Sequence, residues 1–350
     1  MQRLIRPSTL LALIAVTLVA ACATASDETS GEAGTAPPTT ATMATTTVST
    51  DGTVTTTSLE ENAPELSIKW SNVEYLSDAE GSWTMDVYAP DGGGPWPLVV
   101  VYHGMTTGAS NAESLQIART GAVAVAPHWL KKVSPQITAE EYMNGALFDR
   151  AACATAVAQQ MAPELGADPS NTTIAGFSAG MHPATWIALG LVRSMEGCGA
   201  VLQEPSALVA GDSQFTWFLD AFDETIADPT SQAADTVDRF VNPSRWEVSD
   251  DLTVYLWTSD FRHGRDLEVP VPDDSWIHIR DTTGSLLDDL KSVGALDDEF
   301  VDFGDSADVM AMWMNEAGID VTNERVGGGH EYGPKVYAAI DGLIHRDSNN

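Results

Sequence analysis

Residues 97–102, Pro-Leu-Val-Val-Val-Tyr, are apolar throughout. A strand with one wet face alternates apolar and polar side chains, so an unbroken apolar run predicts a strand buried on both faces. Residues 122–126, Ala-Val-Ala-Val-Ala, repeat the pattern. Burial on both faces requires a largely parallel sheet with helices above and below it. Helical spacing at 109–120, 147–165, 181–191, 307–317 and 335–344 supplies those helices. Further strands are expected at 66–75, 83–88, 172–175, 252–257 and 320–326, with a turn at Asp168-Pro169-Ser170-Asn171. The expected class is therefore α/β, a mostly parallel central sheet with helices on both faces and no internal repeat. Ligands of such sheets sit at the carboxyl ends of the strands, and the chemistry is sought there.

The N-terminus is of another kind. Arg3 and Arg6 precede an apolar run, 10–21, that ends in Val19-Ala20-Ala21-Cys22. Twelve residues are too few for the roughly 20 that a spanning helix needs, so residues 1–21 read as a signal peptide. The run resembles a bacterial lipobox, which implies cleavage before Cys22 and a lipid such as palmitate on that cysteine. Ordinary secretion is the alternative. Residues 22–64 are rich in Thr, Ala, Ser, Gly and Pro and nearly devoid of large apolar side chains, so they read as a disordered tether with a reach of roughly 35 to 40 Å. The expected place is the cell envelope, facing outside the cytoplasm. In an oxidising compartment the two remaining cysteines, Cys153 and Cys198, are expected to pair. Neither has a second Cys or a His at ligand spacing, so no metal is expected there, and no cofactor is expected elsewhere.

Charge narrows the partners. There are 17 Lys plus Arg against 50 Asp plus Glu, a net charge of −33. Such a chain repels the phosphates of nucleic acid and of anionic lipid, so the membrane is expected to be reached through Cys22 alone. Charged residues are only 19% against 43% hydrophobic, which makes the acidity a property of the surface of an ordinary folded domain.

The pentad Gly176-Phe177-Ser178-Ala179-Gly180 lies between a short strand and a helix. By itself a G-x-S-x-G is weak. In that context, small neighbours let a sharp turn lift the Ser178 hydroxyl above the sheet, where a substrate carbonyl can reach it. A serine hydroxyl needs a base and an acid that orients the base. Among seven His, His330 in the turn Gly327-Gly328-Gly329-His330 after the last strand is the expected base, with His263 in reserve. His182 is expected to be turned from the attacking line by its helix, with lining the site as the alternative, and His345 reads as a surface residue. The expected acid is Asp260, beyond strand 252–257. Asp305 and Asp302 follow as alternatives, then Asp273 and Asp274. The amides of Ala179 and Met105, the latter just after His103-Gly104, are the expected donors to the oxyanion.

On these residues the chain resembles the α/β-hydrolase superfamily, in particular secreted esterases and lipases of the feruloyl-esterase-like and dienelactone-hydrolase-like kind. The resemblance spans about 66–345. It is carried by Met85-Asp86-Val87-Tyr88-Ala89-Pro90, by residues 97–104, by Gly166-Ala167-Asp168-Pro169, by the pentad and by Gly329-His330. It implies an α/β-hydrolase fold over 65–350 and cleavage of a small-molecule or polymer-derived carboxylic ester through an acyl-enzyme. Peptidase or acyltransferase chemistry, or a non-catalytic binding lipoprotein, are the alternatives. Two departures stand out. Met105-Thr106-Thr107 and Met181-His182 replace glycines common in relatives, and 70 positions separate Asp260 from His330. An acidic insertion at 261–303 is read as a lid or wall, and 211–246, with Trp217, Phe218, Phe222 and Phe240, as a second cap or as core.

Overall fold

A computed structural model describes residues 44–48, 54–58, 66–104, 110–131, 145–213, 232–259, 292 and 303–346. Two strands, β1 (Ala44–Val48) and β2 (Val54–Ser58), form an antiparallel ribbon inside the segment read as a structureless tether. Both are Thr- and Val-rich. Such β-branched side chains favour extended backbone, and among the described residues the two strands pair with each other.

The domain follows as β3 (Leu66–Asp78), β4 (Gly81–Pro90), β5 (Trp96–Tyr102), α1 (Asn111–Ala118), β6 (Val123–Pro127), α2 (Ala146–Met161) and β7 (Ala167–Phe177). Next come α3 (Met181–Ala188), β8 (Ala207–Gly211), α4 (Gln232–Val241), β9 (Thr253–Thr258), α5 (Phe303–Glu316), β10 (Asp320–Arg325) and α6 (Pro334–Ile344). β3 to β10 make one eight-stranded sheet in the order β10-β9-β8-β7-β5-β6-β4-β3. The strands from β6 to β10 in that order are parallel, and β4 and β3 are antiparallel. The expected α/β class is what the structure has.

The apolar runs form the middle of the sheet, and alternate residues feed two cores. Leu98, Val100 and Tyr102 pack with Ile174, Leu208 and Leu256 beneath α2, α3 and α5. Val99 and Val101 pack with Ala175, Val209 and Trp257 beneath α1 and α6. Side chains of residues 98–102 are fully buried, which at about 25 cal/mol per Å² makes this strand a main source of the fold's stability.

Three expectations change. The turn at 168–171 is instead a bulge within β7: Pro97 pairs with Asp168 and Leu98 with Thr172, and Asp168 accepts bonds from the Ser170 amide and hydroxyl at 2.9 and 2.7 Å. Strand β8 was not expected and ends at Gly211, where the expected cap 211–246 begins. The described part of that cap, α4 with Phe240 and the following Trp246, packs into the main core, because Val237, Phe240 and Val241 fall on one helical face. Trp217, Phe218 and Phe222 lie outside the described residues, as does the insertion 261–303 except for Ser292. Cys153 and Cys198 are joined, with Cα atoms 5.7 Å apart, tying α2 to the loop after α3. Among the described residues no helix is long and apolar enough to cross a membrane.

Candidate functional site

The parallel register lines up the strand ends. Tyr102 pairs with Gly176, and Phe177 pairs with Gly211. Gly104 is two residues beyond Tyr102, Ser178 one beyond Phe177 and Asp212 one beyond Gly211, so the three stand side by side at the carboxyl edge of β5, β7 and β8. Neighbouring strands are about 4.8 Å apart, so the ladder itself brings these three together.

Ser178 leaves extended backbone at Phe177 (φ −127°, ψ 138°) and turns at φ +52° into a short 3-10 turn, Ser178–Gly180, ahead of α3. A left-handed serine costs about 1 to 2 kcal/mol. It is held there because α3 must start immediately and press on the sheet. A Cβ at Gly180 would lie 2.2 Å from the Tyr102 carbonyl oxygen and 2.5 Å from that of His103, so only glycine permits this approach. A Cβ placed on Gly104 would lie 3.1 Å from Ser178 Cβ and 3.5 Å from its Oγ, which puts the β5 end directly beside the hydroxyl.

Asp212 also has positive φ, +55°, which a short polar side chain tolerates. It is fully buried. Its amide donates to the Trp257 carbonyl at 3.0 Å, and Gly211 allows this, since a Cβ there would meet the Trp257 oxygen at 2.2 Å. The carboxylate accepts from the Ser259 amide at 2.9 Å and from the Ser259 hydroxyl at 2.8 and 2.9 Å. His330 Nδ1 lies 2.6 Å from Oδ2. A buried carboxylate can only accept, so the imidazole proton sits on Nδ1 and Nε2 is the basic nitrogen.

His330 follows β10 in a turn where Gly327 and Gly328 have φ of +68° and +100°. Its ring lies 4.6 Å from that of Phe177, the neighbour of Ser178, and 6.0 Å from that of Phe303. Phe177 in turn stacks on Trp257 at 5.9 Å and touches Tyr332 at 5.7 Å, so the His330 imidazole rests on an aromatic floor. The loop is fastened at both ends through Glu324 on β10, which accepts from Tyr255 Oη at 2.9 Å and from Lys335 Nζ at 2.6 Å. Those two donors hold the Glu324 carboxyl below its usual range.

The Ala179 amide opens the helical turn directly after Ser178. The other expected donor, Met105, lies outside the described residues, and the segment leading to it is braced. His103 Nδ1 donates to the Gly104 carbonyl at 2.6 Å, and Trp129 Nε1 donates to the His103 carbonyl at 3.0 Å. Burial pushes the His103 imidazole down to about 4, so it is neutral at physiological pH.

The carboxylate on His330 is thus that of Asp212, which the sequence analysis did not single out. Asp260, Asp302, Asp273, Asp274, His263 and Cys22 lie outside the described residues, and Asp305 is in the first turn of α5. His182 is buried in α3, 6.5 Å from the Phe148 ring, and His345 Nε2 lies 3.0 Å from the Thr120 carbonyl oxygen, near the opposite ends of the strands. A signal for Asp212 exists: Ala207-Leu208-Val209-Ala210-Gly211-Asp212, an apolar run closed by Gly and an acid, mirrors the run that closes on Ser178. Among the described residues no group of three His, Cys, Asp or Glu could hold a metal ion.

No protein-family model matches the chain, and no curated protein matches it. Among solved structures it is similar to a truncated form of a carbohydrate esterase from gut microbiota, at 14% identity and a TM-score of 0.51, over 83% of this chain and 99% of that one. It is also similar to the acetyl ester-xyloside bifunctional hydrolase from Caldicellulosiruptor lactoaceticus, again at 14% identity and a TM-score of 0.51, over 79% of this chain and 96% of that one. Sheet order, the turn at Ser178 and these two likenesses agree: the chain has the α/β-hydrolase fold.

Proposed function

We propose that the protein hydrolyses carboxylic esters through an acyl-enzyme, with Ser178 as nucleophile, His330 as base and Asp212 as acid. The observation that carries this reading is the bond from His330 Nδ1 to a fully buried carboxylate that stands level with Ser178 on the next strand. Nε2 takes the hydroxyl proton as Oγ attacks the ester carbonyl. The resulting oxyanion is met by the Ala179 amide and, as the sequence resemblance implies, by that of Met105. His330 then returns the proton to the departing alcohol, and water, activated by the same nitrogen, releases the acid. Asp212 stays ionised and stabilises the imidazolium in between.

The two similar solved structures, an esterase and an acetyl ester hydrolase by description, support ester chemistry in preference to amide cleavage. The chain's net charge of −33 favours neutral esters over anionic ones. Lipid on Cys22 would hold the domain at the envelope, and that part of the proposal rests on sequence alone. The deciding experiment is Ser178→Ala: turnover of short p-nitrophenyl esters and labelling by a fluorophosphonate should both vanish while the thermal melt is kept. Undiminished turnover would refute the assignment.

A further inference from the structure

We infer that Ser259 is a positioning residue that sets the orientation and basicity of the Asp212 carboxylate, and this inference rests on the ester-hydrolase reading. Ser259 is the first residue past β9, the strand beyond the one that carries Asp212. Its amide holds Oδ1 at 2.9 Å, and its hydroxyl lies 2.8 Å from Oδ1 and 2.9 Å from Oδ2. The amide fixes one oxygen, and the hydroxyl, between both, fixes the rotation of the carboxylate plane. Oδ2 is then the oxygen presented to His330 Nδ1. With Asp212 fully buried, bulk solvent does not reach the carboxylate. Each donor also withdraws charge from the carboxylate and so weakens its hold on a proton at His330.

His330 is faced from β8 by Asp212, from β7 by the neutral ring of Phe177 and from α5 by that of Phe303. The titratable groups of its own loop are Glu331, which is exposed, and Tyr332, whose hydroxyl burial pushes far up. Removing the Ser259 hydroxyl leaves those groups in place and makes Asp212 more basic, so the imidazolium is favoured. The shift is upward in pH.

The test follows the imidazole proton NMR titration of His330, assigned by its loss in His330→Gln, beside kcat and KM for p-nitrophenyl acetate. In Ser259→Ala the titration midpoint and the acid limb of kcat/KM should both rise by about half a pH unit, and kcat should fall about tenfold at nearly constant KM. Ser259→Thr should restore both. A lower melting temperature with midpoint and kcat unchanged would mean a merely structural serine and would overturn the inference. Should the alanine variant not fold, Ser259→Cys, with a weaker donor, should move the midpoint in the same direction, and an unmoved midpoint overturns it equally. If the midpoint moves but the wild-type protein turns over no ester, the positioning role stands and the hydrolase reading fails.

Discussion

Asp212→Asn separates this site from the one expected at Asp260. When Ser178 gives up its proton, His330 becomes an imidazolium whose Nδ1 lies 2.6 Å from Asp212 Oδ2. The two charge centres are then roughly 4 Å apart, and at an effective dielectric near 20 their attraction is about 4 kcal/mol. An amide removes that attraction. It also meets three donors, from the Ser259 amide, the Ser259 hydroxyl and His330, with a single acceptor oxygen. At about 1.4 kcal/mol per factor of ten, kcat should fall about a thousandfold, with KM little changed because Asp212 is fully buried. Initial rates on p-nitrophenyl acetate at neutral pH measure this, with a thermal melt to show that the variant is folded. Asp260→Asn, assayed in parallel, should stay within about threefold of wild type. If Asp212→Asn keeps most of its rate while Asp260→Asn loses it, the acid is Asp260 and the argument from register is wrong.

Two further outcomes test the scaffold. Because burial pushes His103 down to about 4, the unfolded chain takes up a proton below about 6.5 that the native protein refuses. Stability from this group is complete above that value and lost as pH falls towards 4, by about 3 kcal/mol, so urea midpoints of wild type and His103→Gln should converge over that interval; a constant gap refutes the link. Removing the disulfide as Cys153→Ala with Cys198→Ala should cost about 4 kcal/mol for a loop of 45 residues, and wild type melted under dithiothreitol should match the double variant.

The class of fold was legible in the sequence because strands buried on both faces leave unbroken apolar runs, as at 97–102. Ser178 and His330 were legible as candidates because both sit among glycines whose positions the backbone dictates. Asp212 was not. Its strand, Ala207–Gly211, has five residues, too short for periodicity to tell it from a loop, and 50 Asp and Glu supply rivals everywhere. With β8 unseen, the expected acid was placed after β9, next to Ser259, whose hydroxyl bonds to Asp212. Only the pairing of Phe177 with Gly211 makes the two strand ends level, and pairing between distant segments is not written in local pattern.

The site joins two kinds of support. Ser178 and Asp212 are extensions of the central hydrogen-bonded ladder, so they are displaced only when the sheet itself opens. His330 is attached otherwise, by its bond to Asp212, by ring contacts and by a run of glycines fastened through the half-buried Glu324 to Tyr255 and Lys335. Detaching that fastening costs far less than opening the ladder. Mild heat or high salt should therefore unseat the base first, giving a folded protein that is silent and that recovers on cooling or dilution. On the proposed mechanism, the durability of the fold and that of the activity are separate properties, and the fastening at Glu324 bears on the second.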